Sequence, residues 1–168
     1  MSRRSSIING VSLIGGIVGA VFAFISRMLS GSPIDMLHKL GDVGVMPPIW
    51  IFNLLSVAWY FLIGAAAGNV IKNIADGSLC GRSEAAAYRG LAFFLVAFFM
   101  GLIWYPVFFV SQAIFISLLV CLITTLTSVL CAYAWLSAGE TAAGVIVAAY
   151  SIWTVYIFII NFSISFGI

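Results

Sequence analysis

Aromatic side chains carry whatever chemistry this sequence can offer. Trp104-Tyr105-Pro106-Val107-Phe108-Phe109 ends an uncharged apolar run that begins just after Arg89. Pro47-Pro48-Ile49-Trp50-Ile51-Phe52 opens another apolar segment that continues through Tyr60 and Gly64, and Tyr150, Trp153, Tyr156 and Asn161 lie in the last one. Rings of this kind stack on flat apolar molecules and bury large areas. Reactive groups are missing. No Ser/His/Asp or Cys/His set is present to activate a nucleophile, and no carboxylate pair could share acid and base roles. His38 is the lone histidine and has no second ligand in view, so it reads as a solvated loop residue. Cys80, Cys121 and Cys131 are odd in number and contain no CxxC, which argues against a disulfide scaffold or a zinc site. The expectation is a binding protein with no catalytic residues, no metal and no cofactor.

The elements that must position these rings follow from composition. Of 168 residues, 64% are hydrophobic and only 7% charged, with a mean hydropathy of +1.22. Soluble domains carry roughly 25% charged residues. A soluble fold of this length could not hide so much apolar surface, whereas a hydrocarbon layer about 30 Å thick takes helices of roughly 20 apolar residues. The net charge of +2 is small and scattered, which excludes a nucleic-acid partner. The expected architecture is all-α, an integral membrane bundle of five transmembrane helices in one domain covering 1–168, with the lipid bilayer as its surroundings.

The spans are expected at about 7–28, 47–71, 88–109, 112–137 and 141–166. Ser2-Arg3-Arg4 and the run after it could form a signal peptide, but the run exceeds the usual ~7–15-residue core and is taken as a first span. Gly15 and Gly19, then Gly64 and Gly68, have the spacing that lets helix backbones approach closely; the glycine tolerance of membrane helices would account for them as well. The 30–46 loop, with Ile34, Met36, Leu37 and Leu40 among polar residues, could lie on the membrane or fold over a cavity as a lid. Between Arg89 and Glu140 no charge occurs, so that interval holds two helices, broken near Ser111 and Gln112. Away from their ends the spans contain no Asp, Glu, Lys, Arg or His, which disfavours ion-coupled transport. Arg3, Arg4, Lys72, Arg82 and Arg89 fall on one side against Arg27 and Lys39 on the other. The N-terminus is therefore expected in the cytoplasm and the C-terminus outside.

At 1.5 Å per residue, Trp50 lies about 4 Å below the outer face, Trp104 about 8 Å, and Tyr60 and Trp153 about 20 Å. Asn53, Ser56, Tyr60, Gly64 and Ala67 form a stripe on the second helix. Ala97, Gly101, Trp104 and Phe108 share a face of the third, and Tyr150, Trp153, Ile157 and Ile160 a face of the fifth. Convergence of these faces would enclose an apolar cavity suited to a planar hydrophobic ligand. Trp and Tyr also favour membrane interfaces for reasons unrelated to function. That reading accounts for Trp135, packing on lipid accounts for Trp59, and Trp50 stays open between interface anchor and pocket rim. Asn161 is expected to join helices.

Taken in order, these motifs resemble the tryptophan-rich sensory protein family, also called the translocator protein or peripheral benzodiazepine receptor family. The family's Pro-Pro-x-Trp-x-Phe, Tyr and Gly are matched by Pro47, Pro48, Trp50, Phe52, Tyr60 and Gly64; its Trp-x-Pro-x-Phe-Phe by Trp104, Pro106, Phe108 and Phe109; its fifth-segment residues by Tyr150, Trp153 and Asn161. The chain is a divergent member: Ser56 stands for a second Trp, Gly101 for an Asn and Ala149 for a Pro, and of the run before the Pro-Pro pair only Leu40 is kept. The resemblance implies a receptor or sensor that binds protoporphyrin IX-like porphyrins as ligand rather than cofactor, with a role in their transport and a homodimeric state. Its implied pocket is Pro47, Tyr60, Trp104, Tyr105, Phe108 and Trp153, to which Trp50 is added at the rim. The alternatives are a photo-oxidative porphyrin-degrading enzyme, weakened by Ser56, and a structural or regulatory membrane subunit. Cholesterol binding is disfavoured because no basic residue follows Arg89 to complete the motif. The absence of an Arg-rich presequence favours a bacterial plasma membrane over an organelle.

Overall fold

The computed structural model describes residues 9–30 and 49–166. Pro47, Pro48, His38 and most of the expected 30–46 lid lie outside those residues. Five helices follow in chain order: α1 (Gly10–Leu29), α2 (Ile49–Ala75), α3 (Arg82–Tyr105), α4 (Ile114–Ser137) and α5 (Thr141–Phe166). A π-helical turn, Pro106–Val110, extends α3. All five are long and apolar enough to cross a membrane. Large apolar side chains such as Ile14, Phe115 and Ile152 are exposed on their outer faces. The protein is an all-α integral membrane bundle.

Local chemistry sets the helix ends. Asn9 caps α1, its Oδ1 accepting from the Ser12 N–H at 2.8 Å. The third helix begins at Arg82, six residues before the hydropathy expectation, because Arg82-Ser83-Glu84-Ala85-Ala86-Ala87 is a good helical sequence that is merely too polar to register as membrane. α2 likewise runs on to Ala75, and Asn73 in its last turn donates to both carboxylate oxygens of Glu140 at 2.9 and 3.0 Å. This pins the α4–α5 turn. The turn itself is a Schellman motif: Gly139, at φ 86°, donates to Leu136 O, and Glu140 N–H donates to Trp135 O.

Around the bundle the helices run α1, α2, α5, α4, α3, and α1 returns to touch α3. Glycines set the α1–α2 seam. A methyl group added at Gly64 would strike the Gly15 carbonyl, and one at Gly19 would strike the Tyr60 carbonyl. Both glycine pairs are thus occupied by each other within one chain. At the far end of α1, Ser26 Oγ donates to Leu102 O at 2.7 Å. Pro106 explains that contact. Proline has no N–H to offer the carbonyl four residues back, and its ring pushes that carbonyl away. The Leu102 carbonyl is therefore freed, and in a dry bundle an unpaired carbonyl costs several kcal/mol. Ser26 supplies the missing donor.

Two measurements test this packing. Gly64→Val should lower stability by at least about 2 kcal/mol in detergent unfolding, while Gly10→Ala, which meets no atom within 4 Å, should change it by less than about 0.5 kcal/mol. Ser26→Ala should cost about 1–2 kcal/mol, and less than half of that in a Pro106→Ala background, where a restored N–H takes over Leu102.

Candidate functional site

The aromatic motifs meet around one cavity. Phe52, Ser56 and Tyr60 come from α2, Gly101, Trp104 and Tyr105 from α3, Cys121 and Thr124 from α4, and Tyr150, Trp153, Thr154 and Ile157 from α5. Phe52 is the hinge of the ring cluster, its centroid 5.5 Å from Trp153 and 6.0 Å from Trp104. The cavity between the lining side chains is small, about 40 Å³. This ring-walled space is the aromatic slot.

Its polar groups are mostly committed elsewhere. Ser56 Oγ donates to Phe52 O at 2.7 Å, Thr124 Oγ1 to Val120 O at 2.8 Å and Thr154 Oγ1 to Ser151 O at 2.8 Å. These back-bonds take up the hydroxyl protons and leave few free donors at the slot. Tyr60 OH donates to Phe98 O at 3.4 Å, and Tyr105 OH donates to Ser56 Oγ. The Trp153 indole N–H has no hydrogen-bond partner among the described residues.

Behind the slot a buried amide holds the wall in place. Asn161 is fully buried, and its Oδ1 accepts from Trp104 Nε1 at 3.3 Å and from Ser117 Oγ at 2.9 Å, while its Nδ2 donates to Ile157 O at 2.9 Å. Three helices are joined at one side chain. Phe108 then stacks on Trp104 with centroids 5.0 Å apart and planes 17° apart. The π turn makes this possible, because its wider coil places Phe108 and Phe109 edge to face at 5.0 Å, over Trp104 and Tyr105.

The residues singled out from the sequence thus fall in several places. Tyr60, Trp104, Tyr105 and Trp153 line the cavity. Phe108 lies behind Trp104 without reaching the slot, and Trp50 is 67% exposed and outside the cavity wall. Pro47 is outside the described residues. Two tryptophans differ from expectation. Trp135 is completely buried rather than at an interface, stacked on Phe94 and donating to Ala87 O at 3.4 Å in room left by Gly90. Trp59 packs its ring 6.1 Å from Tyr150 instead of only on lipid. Sequence reasoning missed the α4 wall, whose signal was the small and polar stripe Ser117, Cys121, Thr124, Ser128 and Cys131 at helical spacing. All five are buried.

The two departures at the site are filled by phenols. Tyr105 reaches Ser56, where the resembling family carries tryptophan. At Gly101, Tyr60 OH occupies the room a side chain would need, with Tyr150 OH 3.2 Å from the same point. A model of the TspO/MBR family matches residues 10–166. No curated protein and no solved structure matches the chain.

Removing Asn161 should be felt mainly through Trp104, because Ser117 Oγ keeps a second bond to Ile114 O at 2.7 Å. Asn161→Ala should cost roughly 2 kcal/mol. A double-mutant cycle with Trp104→Phe, read by unfolding in mixed micelles, should give a coupling of about 0.5–1.7 kcal/mol.

Proposed function

The chain belongs to the TspO/MBR family, and on that premise we propose that this five-helix membrane protein is a receptor that binds a porphyrin of the protoporphyrin IX type, or a similar planar hydrophobic molecule, and aids its movement in the membrane. The observation that carries the reading is the small slot walled by the rings of Phe52, Trp104, Tyr105 and Trp153. A slot with ring walls rewards a flat ligand with stacking and area burial, and it offers little to a branched or rounded one. Of the two tryptophans that line the slot, Trp104 donates to Asn161 and Trp153 has no partner among the described residues, so its N–H would fix the ligand's orientation in its plane.

The small size of the slot bears on how binding proceeds. Pockets for drug-sized ligands measure about 300–1,000 Å³, so a porphyrin enters as the rings of Phe52, Trp104 and Trp153 move apart. Trp153 and its neighbour Tyr156, centroids 5.5 Å apart, are only partly buried. Trp104 is anchored by Asn161. Opening therefore falls to the α5 aromatics and Phe52, with α3 as the fixed wall.

The test is a titration of protoporphyrin IX into the protein in lipid nanodiscs, in the dark, followed by tryptophan fluorescence. Saturable quenching is expected in the wild type, with Trp153→Phe weakening affinity roughly five- to tenfold, about 1–1.4 kcal/mol of ring contact and N–H donation. Linear quenching in both proteins would mean partition into lipid and would end this reading.

A further inference from the structure

Arg27 sits in the last turn of α1 with its guanidinium carbon 4.6 Å from the centre of the Tyr105 ring and 5.6 Å from that of Phe109. Stacking on an aromatic face offsets part of the cost of leaving water. It does not satisfy every N–H group. One terminal nitrogen, Nη1, is fully buried and has no hydrogen-bond partner among the described residues. The described acidic residues, Asp76, Glu84 and Glu140, all lie in the loops or first turns at the opposite end of the bundle. Nothing described at this end is an anion.

A second orphan stands nearby in register. The contacts of Gly15 with Gly64 and of Gly19 with Tyr60 set an antiparallel alignment of α1 on α2. Continued two turns further, that alignment brings Arg27 level with Phe52 and Asn53. Asn53 Oδ1 is likewise buried and unpaired, and a half-turn of its amide presents the NH₂ group instead. The guanidinium therefore keeps a buried donor that no described acidic residue meets, with an amide at the same level.

We infer that Arg27, with Asn53 beside it, binds the carboxylate of the ligand that occupies the aromatic slot. The inference rests on the porphyrin reading above and adds what would orient that ligand. Tyr105 is the connecting piece, since its ring lines the slot and carries the guanidinium. The cation thus lies 4.6 Å from the centre of a ring that itself lines the cavity. A protoporphyrin has apolar edges and two carboxylates on one side, so its body fits the slot while its acidic edge meets Arg27. The ligand class is therefore a planar amphipathic acid. A neutral flat hydrocarbon would leave Nη1 unpaired.

The experiment compares protoporphyrin IX with its uncharged dimethyl ester in wild type, Arg27→Gln, Arg27→Lys and Trp153→Phe, in nanodiscs of phosphatidylcholine alone and of phosphatidylcholine with phosphatidylglycerol. Arg27→Gln should weaken the diacid about tenfold and the ester less than about twofold, while Trp153→Phe weakens both. Arg27→Lys should recover part of the loss, having the charge without the planar stack. Equal weakening of both ligands by Arg27→Gln would reduce Arg27 to packing on Tyr105 and overturn the inference. No change in either ligand, with saturable wild-type binding, would overturn it and leave the porphyrin reading intact. An Arg27→Gln effect confined to discs with anionic lipid would assign the guanidinium to a lipid phosphate and overturn it as well. Failure of both ligands to saturate the wild type would remove the porphyrin reading and this inference together.

Discussion

Much of the structure depends on one missing hydrogen-bond donor. Pro106 cannot give the Leu102 carbonyl its helical partner, and inside a membrane no water replaces it. Ser26 does so, and in reaching Leu102 it holds the last turn of α1 against α3. From Pro106 onward the backbone widens into a π turn, closed by Ser111 N–H on the Pro106 carbonyl at 3.0 Å. The same residue therefore determines where α1 ends against the bundle and how Phe108 and Phe109 are presented. Functional sites are a common place for such π turns, and here the turn sits directly behind the cavity wall.

Much of the interior obeys the same rule. Three amides tie helices together: Asn161 joins α3, α4 and α5, Asn69 accepts from Asn9 at 3.1 Å to tie the start of α1 to α2, and Asn73 holds Glu140. Arg27 Nη1 and Asn53 Oδ1 are the exceptions among the described amides and cations. Several serine and threonine hydroxyls, those of Ser56, Thr124, Ser151 and Thr154 among them, turn back onto their own helices. The slot that remains has few free donors because its polar neighbours are already bonded, and it is small because phenols fill the places vacated at Ser56 and Gly101. A divergent sequence has kept the packed volume of the site while exchanging indole and amide for tyrosine.

Rigidity is unevenly shared among the walls. Trp104 is held by a hydrogen bond on one side and by Phe108 on the other, whereas Trp153, only partly buried, is held by packing that includes ring contacts to Phe52 and Tyr156. A fixed α3 face opposite a movable α5 ring is an arrangement that can open without unfolding. The α1–α2 seam supports this from outside, since glycine backbones in contact leave little room to slide.

Hydropathy and helical spacing were enough to read five membrane helices, the break near Gln112, the stripe from Ser56 to Ala67 and the joining role of Asn161, because burial in lipid and the period of a helix act on each segment separately. The ordered Trp, Pro and Phe motifs were enough for the family. Which faces meet is another matter. Periodicity names a face but not its neighbour, so the α4 wall, the burial of Trp135 and the exposure of Trp50 emerged only from the packed bundle. The glycine spacing promised a close approach without saying to what, and tertiary structure spent it on the α1–α2 seam. Arg27 shows the limit most clearly. In sequence it is one charge near the end of a span; only the return of α1 to α3, forced by the carbonyl that Pro106 leaves unpaired, lays it on Tyr105 beside the slot.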